Sequence, residues 1–92
     1  MGVYYVHNLK EGLRPGNWLQ YWRNATGIWT EQQCYTIGCS EKATDGGHVQ
    51  LDDPNNDKWY IVPLCHKCNC QHGKHFWVTG PLVPVNGGDI LW

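Results

Sequence analysis

Two short cysteine pairs, Cys34-x4-Cys39 and Cys65-x2-Cys68, constrain this chain more than any other feature. Tetrahedral Zn²⁺ takes four ligands, and two pairs that each close over a few residues supply them at little loop-closure cost. Disulfides and free buried thiols are the alternatives. The opening Met1-Gly2-Val3-Tyr4-Tyr5-Val6-His7-Asn8 lacks the basic flank and apolar stretch of a secretory signal. An intracellular, cytoplasmic location is therefore expected, and in a reducing compartment metal ligation is favoured over disulfides.

The size of the chain sharpens this reading. Its 92 residues are expected to form a single domain, 1–92. Such a domain buries only about 60–65% of the surface its unfolded form exposes. A core of this kind supplies about 3–5 kcal/mol, whereas a structural zinc site contributes about 10–16 kcal/mol in apparent binding.

The fifth cysteine falls outside the ligand set on helical geometry. If residues 65–72 form a short helix, Cys68 lies about 60° around the axis from Cys65, but Cys70 lies about 140° away. His66, about 100° away, is expected to be exposed. Thiol chemistry at Cys70 would need a partner base.

Composition excludes several function classes. A hydrophobic fraction of 41% with six Trp and five Tyr excludes disorder of the whole chain. The formal charge is −1, and four thiolates with one Zn²⁺ take it to about −3. A DNA partner is possible but is not supported by this charge. No apolar run approaches a membrane span. The aromatic content exceeds what so small a core readily hides, which makes a protein partner, or stacking on single-stranded nucleic acid, the non-catalytic alternative.

Local pattern places these residues on elements. Residues 3–9 read as a strand, 10–16 as a loop, and Asn17 as the cap of a helix over 18–25 that stops at Gly27. Trp18 and Trp22 share one face of that helix, and core packing is their simplest role. Residues 46–51 and 58–62 read as a hairpin around the turn-rich 52–57, which lacks the spaced ligands of a calcium loop. Residues 76–78 and 82–85 read as short strands, 86–88 as a turn, and 90–92 as a packed apolar end. The fold class is α+β, with an N-terminal strand and helix, a cysteine-bearing centre and a C-terminal β extension.

Cys34-x4-Cys39, Ala43-Thr44-Asp45-Gly46-Gly47-His48-Val49 and Ile61-Val62-Pro63-Leu64-Cys65-x2-Cys68-Asn69 together resemble the zinc-bearing HNH endonucleases. The resemblance covers about residues 34–72. It implies a treble-clef, ββα-metal core in which Cys34, Cys39, Cys65 and Cys68 bind structural zinc. It also implies a metal-dependent endonuclease with His48 as general base and Asn69 as ligand to a second cation, Mg²⁺ or Mn²⁺. His72 can serve as a further ligand. Gly47 stands where the family carries Asp or His, and Asp45 lies three residues before His48. The structural alternative for His48 is a hydrogen bond to a loop carbonyl that locks the hairpin onto the helix.

Overall fold

The computed structural model describes residues 2–9, 17–56, 58–71 and 73–85. Its elements are β1 (Val3–Asn8), α1 (Trp18–Thr26), β2 (Asp45–Leu51), β3 (Trp59–Leu64), α2 (His66–Asn69), β4 (His75–Thr79) and β5 (Val83–Pro84). The strands form one antiparallel sheet in the order β4-β1-β2-β3-β5. The protein is thus a small α+β domain.

Short polar signals set the element boundaries. Asn17 Oδ1 accepts from the Gln20 N–H at 3.0 Å and starts α1. Gly27, in the left-handed region at φ 74°, ends it by donating its N–H to Arg23 O at 2.8 Å. Between β2 and β3, Asp53 Oδ1 accepts from Asn55 N at 2.9 Å and Asn56 Oδ1 from Lys58 N at 3.0 Å. These side-chain turns fix the hairpin register, in which His48 lies opposite Ile61.

The core lies between the sheet and its coverings. Val6, Val49, Ile61, Val62, Leu64, Val78 and Trp22 are fully buried. Trp22 is seated by its indole N–H, which donates to Pro81 O at 3.0 Å, and by an edge-on contact with Tyr35 at 5.6 Å. Trp18 is half-buried and packs against the edge of this core.

Two glycines let both helices approach one strand. A Cβ on Gly46 would lie 2.7 Å from Trp18 Cβ and nearer still to the backbone of Trp18 and Leu19. A Cβ on Gly47 would lie 2.9 Å from Leu64 Cγ and 3.3 Å from Asn69 Oδ1. Successive strand residues face opposite ways, so α1 packs on one face of the β2–β3 hairpin and α2 on the other.

The helix expected over 65–72 is confined to His66–Asn69. Cys70 N makes the last α-helical bond, to His66 O at 3.0 Å, and Gln71 N then bonds Cys68 O at 3.3 Å, a tighter closure that ends the helix. Gly73, at φ 77°, then donates its N–H to Asn8 O at 3.0 Å and leads into β4. The expectations for 10–16, 86–88, 90–92 and His72 lie outside the described residues. Among the described residues, no helix is long and apolar enough to cross a membrane.

Candidate functional site

The first cysteine pair sits on a tight turn. Cys34 N donates to Glu41 O at 2.7 Å, Cys39 N donates to Thr36 O at 3.0 Å, and Gly38 takes φ 89°. Further backbone bonds tie this turn to two strands that are not sheet neighbours. Tyr35 N donates to Pro63 O of β3 at 2.9 Å, and Thr79 N of β4 donates to Tyr35 O at 3.0 Å. The second pair sits at α2, with Cys65 as the residue preceding its first turn. The hairpin register carries Cys65 to the turn, since β3 ends at Leu64, opposite Asp45.

All four sulfurs, from Cys34, Cys39, Cys65 and Cys68, lie within 4.8 Å of one another. Tetrahedral Zn–S bonds of about 2.3 Å put neighbouring sulfurs roughly 3.8 Å apart, and Cys39 Sγ and Cys65 Sγ are 3.9 Å apart. None of the five cysteines is in a disulfide. The cluster therefore has the donor set and spacing to hold a soft or borderline ion such as zinc.

The local electrostatics act differently on Cys34, Cys39 and Cys68. Burial raises the Cys34 thiol, but bonds from the Cys65 and Thr36 backbone and the Thr36 hydroxyl outweigh it and leave the thiol below its ordinary range. Burial and the neighbouring sulfurs push Cys68 up to about 12 despite a lowering contact with Thr36. Cys39 is lowered by the Glu41 backbone, but burial and the Cys34 and Cys65 sulfurs prevail and raise it. Without a cation, Cys39 and Cys68 resist ionising beside their neighbours; a divalent ion would reverse that preference by binding thiolates.

Beside this cluster lies an open cleft of about 380 Å³, lined by Asn17, Trp18, Leu19, Thr44, Asp45, Gly46, His48 and Asn69. It opens where β1 stops covering β2, since their ladder spans only Val49–Leu51 on the β2 side. His48 and Asn69, both expected as site residues, line this cleft. His48 approaches from the α1 face, its ring edge-on to Trp18 at 5.5 Å and 86°. Burial holds the His48 pKa below its ordinary value, so the imidazole is neutral at neutral pH. Among the described residues its ring makes no hydrogen bond to a loop carbonyl; packing against Trp18 orients it instead.

Asn69 approaches from the α2 face and donates through Nδ2 to Asp45 Oδ2 at 3.0 Å. Asp45 also receives the Thr44 hydroxyl at 3.0 Å and lies 3.0 Å from His66 Nδ1. Burial raises the Asp45 carboxyl, but its contacts with Asn69, His66 and Thr44 outweigh that and keep it ionised below its usual range. Position 47, where the resemblance calls for a ligand, has no room for one because Leu64 and Asn69 fill the space a Cβ would need.

His66 is exposed, as expected, and so is the spare thiol Cys70, yet they are not isolated. Cys70 Sγ lies 3.3 Å from His66 Nε2, and His66 Nδ1 faces Asp45, giving a thiol–imidazole–carboxylate line along the rim. Sequence reading also missed Asn8, which is 2% exposed. Its Nδ2 donates to Asn69 O at 2.8 Å and Cys68 O at 3.2 Å, holding the end of α2 from sixty residues away in sequence.

Together these features define a small α+β domain with a four-cysteine cluster competent to hold a metal and a polar cleft at its side. Comparison with protein-family models, with curated proteins and with solved structures finds no match for the chain.

Proposed function

We propose that the chain is a zinc-stapled, treble-clef domain of HNH type whose cleft hydrolyses phosphodiester bonds with the help of a divalent cation. The observation that carries this reading is the convergence of His48, Asp45 and Asn69 on one open cleft beside the cysteine cluster. His48 is the general base. Its neutral imidazole is free to take a proton from water, and Trp18 holds the ring at the rim. Asp45 would supply the hard carboxylate that Gly47 cannot, and the Asn69 carboxamide, once turned over from its Nδ2 bond to Asp45, would offer its oxygen as the second protein ligand. Mg²⁺ or Mn²⁺ suits this oxygen set; when bound, it would supply charge neutralisation at phosphorus.

The test is plasmid nicking with Mg²⁺, Mn²⁺ or Ni²⁺. Wild-type nicking that falls about 100-fold or more in His48→Ala is the expected result. No nicking with any of these ions, or nicking unchanged in His48→Ala, would overturn the proposal.

A second, non-catalytic reading rests on the outer face of β1 and β4. Tyr5 and Trp77 are cross-strand partners with ring centroids 4.9 Å apart, and they remain 39% and 52% exposed. Exposed paired aromatics of this kind serve as binding anchors. Absence of nicking, together with a binding activity lost in Trp77→Ala, would favour this reading.

A further inference from the structure

A second group of metal-ligand side chains lies away from both the cysteine cluster and the cleft. His7 of β1 and His75 of β4 are direct cross-strand partners, with ring centroids 5.3 Å apart. Asp52 follows immediately after β2 and is tied to β1 by its N–H, which donates to Tyr5 O at 2.9 Å. Its Oδ2 lies 3.5 Å from His75 Nδ1. Three adjacent strands thus bring one ligand atom each from His7, Asp52 and His75 within 4.8 Å of one another.

From this geometry we infer a second cation site, formed by His7, Asp52 and His75, for a borderline divalent ion of the zinc class. Two imidazoles with one carboxylate suit Zn²⁺, Ni²⁺ or Cu²⁺ far better than Mg²⁺ or Ca²⁺. Ligands on tetrahedral zinc stand roughly 3.3 Å apart, so the side chains must close by about an ångström or less on average. The side chains of His75 and Asp52 are 45% and 42% exposed and have room to do so.

Two further observations favour a ligand here. His7 Nδ1 is buried and has no hydrogen-bond partner among the described residues, so the His7 ring has a polar need that its neighbours leave unmet. Alongside runs a hollow of about 340 Å³ lined by His7, Gln50, residues 51–54 and Asn56, which gives access from solvent. Three protein ligands leave at least one position open to water or an exogenous group. A cation bound there would clip β1, β2 and β4 together at the end of the sheet.

The test is calorimetric titration of the protein, first loaded with one equivalent of Zn²⁺ and dialysed, with further Zn²⁺. The expected result is a second equivalent bound by wild type. His75→Ala and Asp52→Asn, both at exposed positions, should each weaken this step about tenfold or more while retaining the first zinc. Excess Zn²⁺ should also raise the wild-type Tm and leave that of Asp52→Asn nearly unmoved. No second binding step in wild type, or a second step unchanged in both variants, would overturn the inference.

Discussion

Gly46→Ala gives opposite expectations from sequence and from structure. Gly46 sits inside β2 and is not among the positive-φ glycines, so its backbone conformation is open to alanine. On local grounds the substitution should stabilise by about 0.4–1 kcal/mol, through the unfolded chain. The structure reverses the sign. The new Cβ would lie inside 3.0 Å of the Leu19 and Trp18 backbone, atoms that no side-chain rotation can move. Helix α1 must shift as a body, disturbing buried Trp22 and the Trp18–His48 contact. Overpacking costs about 1–3 kcal/mol, and a clash with backbone falls at the upper end; less the local gain, a net loss of about 2 kcal/mol is expected, or roughly 8–16 °C in Tm for a domain of this size. Gly47→Ala should also destabilise, since it presses on the fully buried Leu64 side chain, but it leaves α1 in place. Thermal and urea unfolding of zinc-saturated protein measure both variants. A Gly46→Ala protein as stable as wild type or more so would refute the packing of α1 against β2.

Other expectations follow from single contacts. Asn8→Ala should cost about 1–3 kcal/mol by leaving the Cys68 and Asn69 carbonyls unserved; Asn8→Asp, which turns an acceptor towards them, should cost more, both read by urea unfolding. Iodoacetamide followed by mass spectrometry should label exposed Cys70 first in zinc-loaded protein and all five cysteines after chelation; equal labelling before and after would contradict the cluster. Burial holds His48 neutral in the fold, so the unfolded chain binds the extra proton. The stability His48 contributes should be complete above its ordinary pKa of about 6.5 and fall as pH drops through the lower folded value. The difference in stability between wild type and His48→Gln should therefore depend on pH below about 6.5 and be flat above it.

Much of the fold was legible because local chemistry and tertiary demand agree. Asn17 and Gly27 bound α1 as their capping chemistry requires, and the Asp53–Asn56 turns bound the hairpin. The cysteine pairs were readable because each closes over a few residues, leaving only one long-range meeting to infer. Helical angle also set Cys70 apart, and the close group of four sulfurs does not include it.

What escaped sequence reading depends on register. Nothing in the sequence pairs His7 with His75 across 68 positions; only the β1–β4 ladder does so. The acidic 52–57 stretch reads as a solvated turn by composition, yet Asp52 belongs to that histidine pair. Asp45 looked misplaced three residues before His48, but β2 begins there and the α2 side chains Asn69 and His66 converge on it. The short α2 follows from a tertiary pull, the bond from Gly73 to Asn8, which no propensity encodes.

X-ray absorption at the metal edge of purified, dialysed protein addresses the cysteine cluster most directly. One zinc per chain with four sulfur neighbours at about 2.3 Å is the expected result. Folded, metal-free protein with all five thiols open to titration would contradict it.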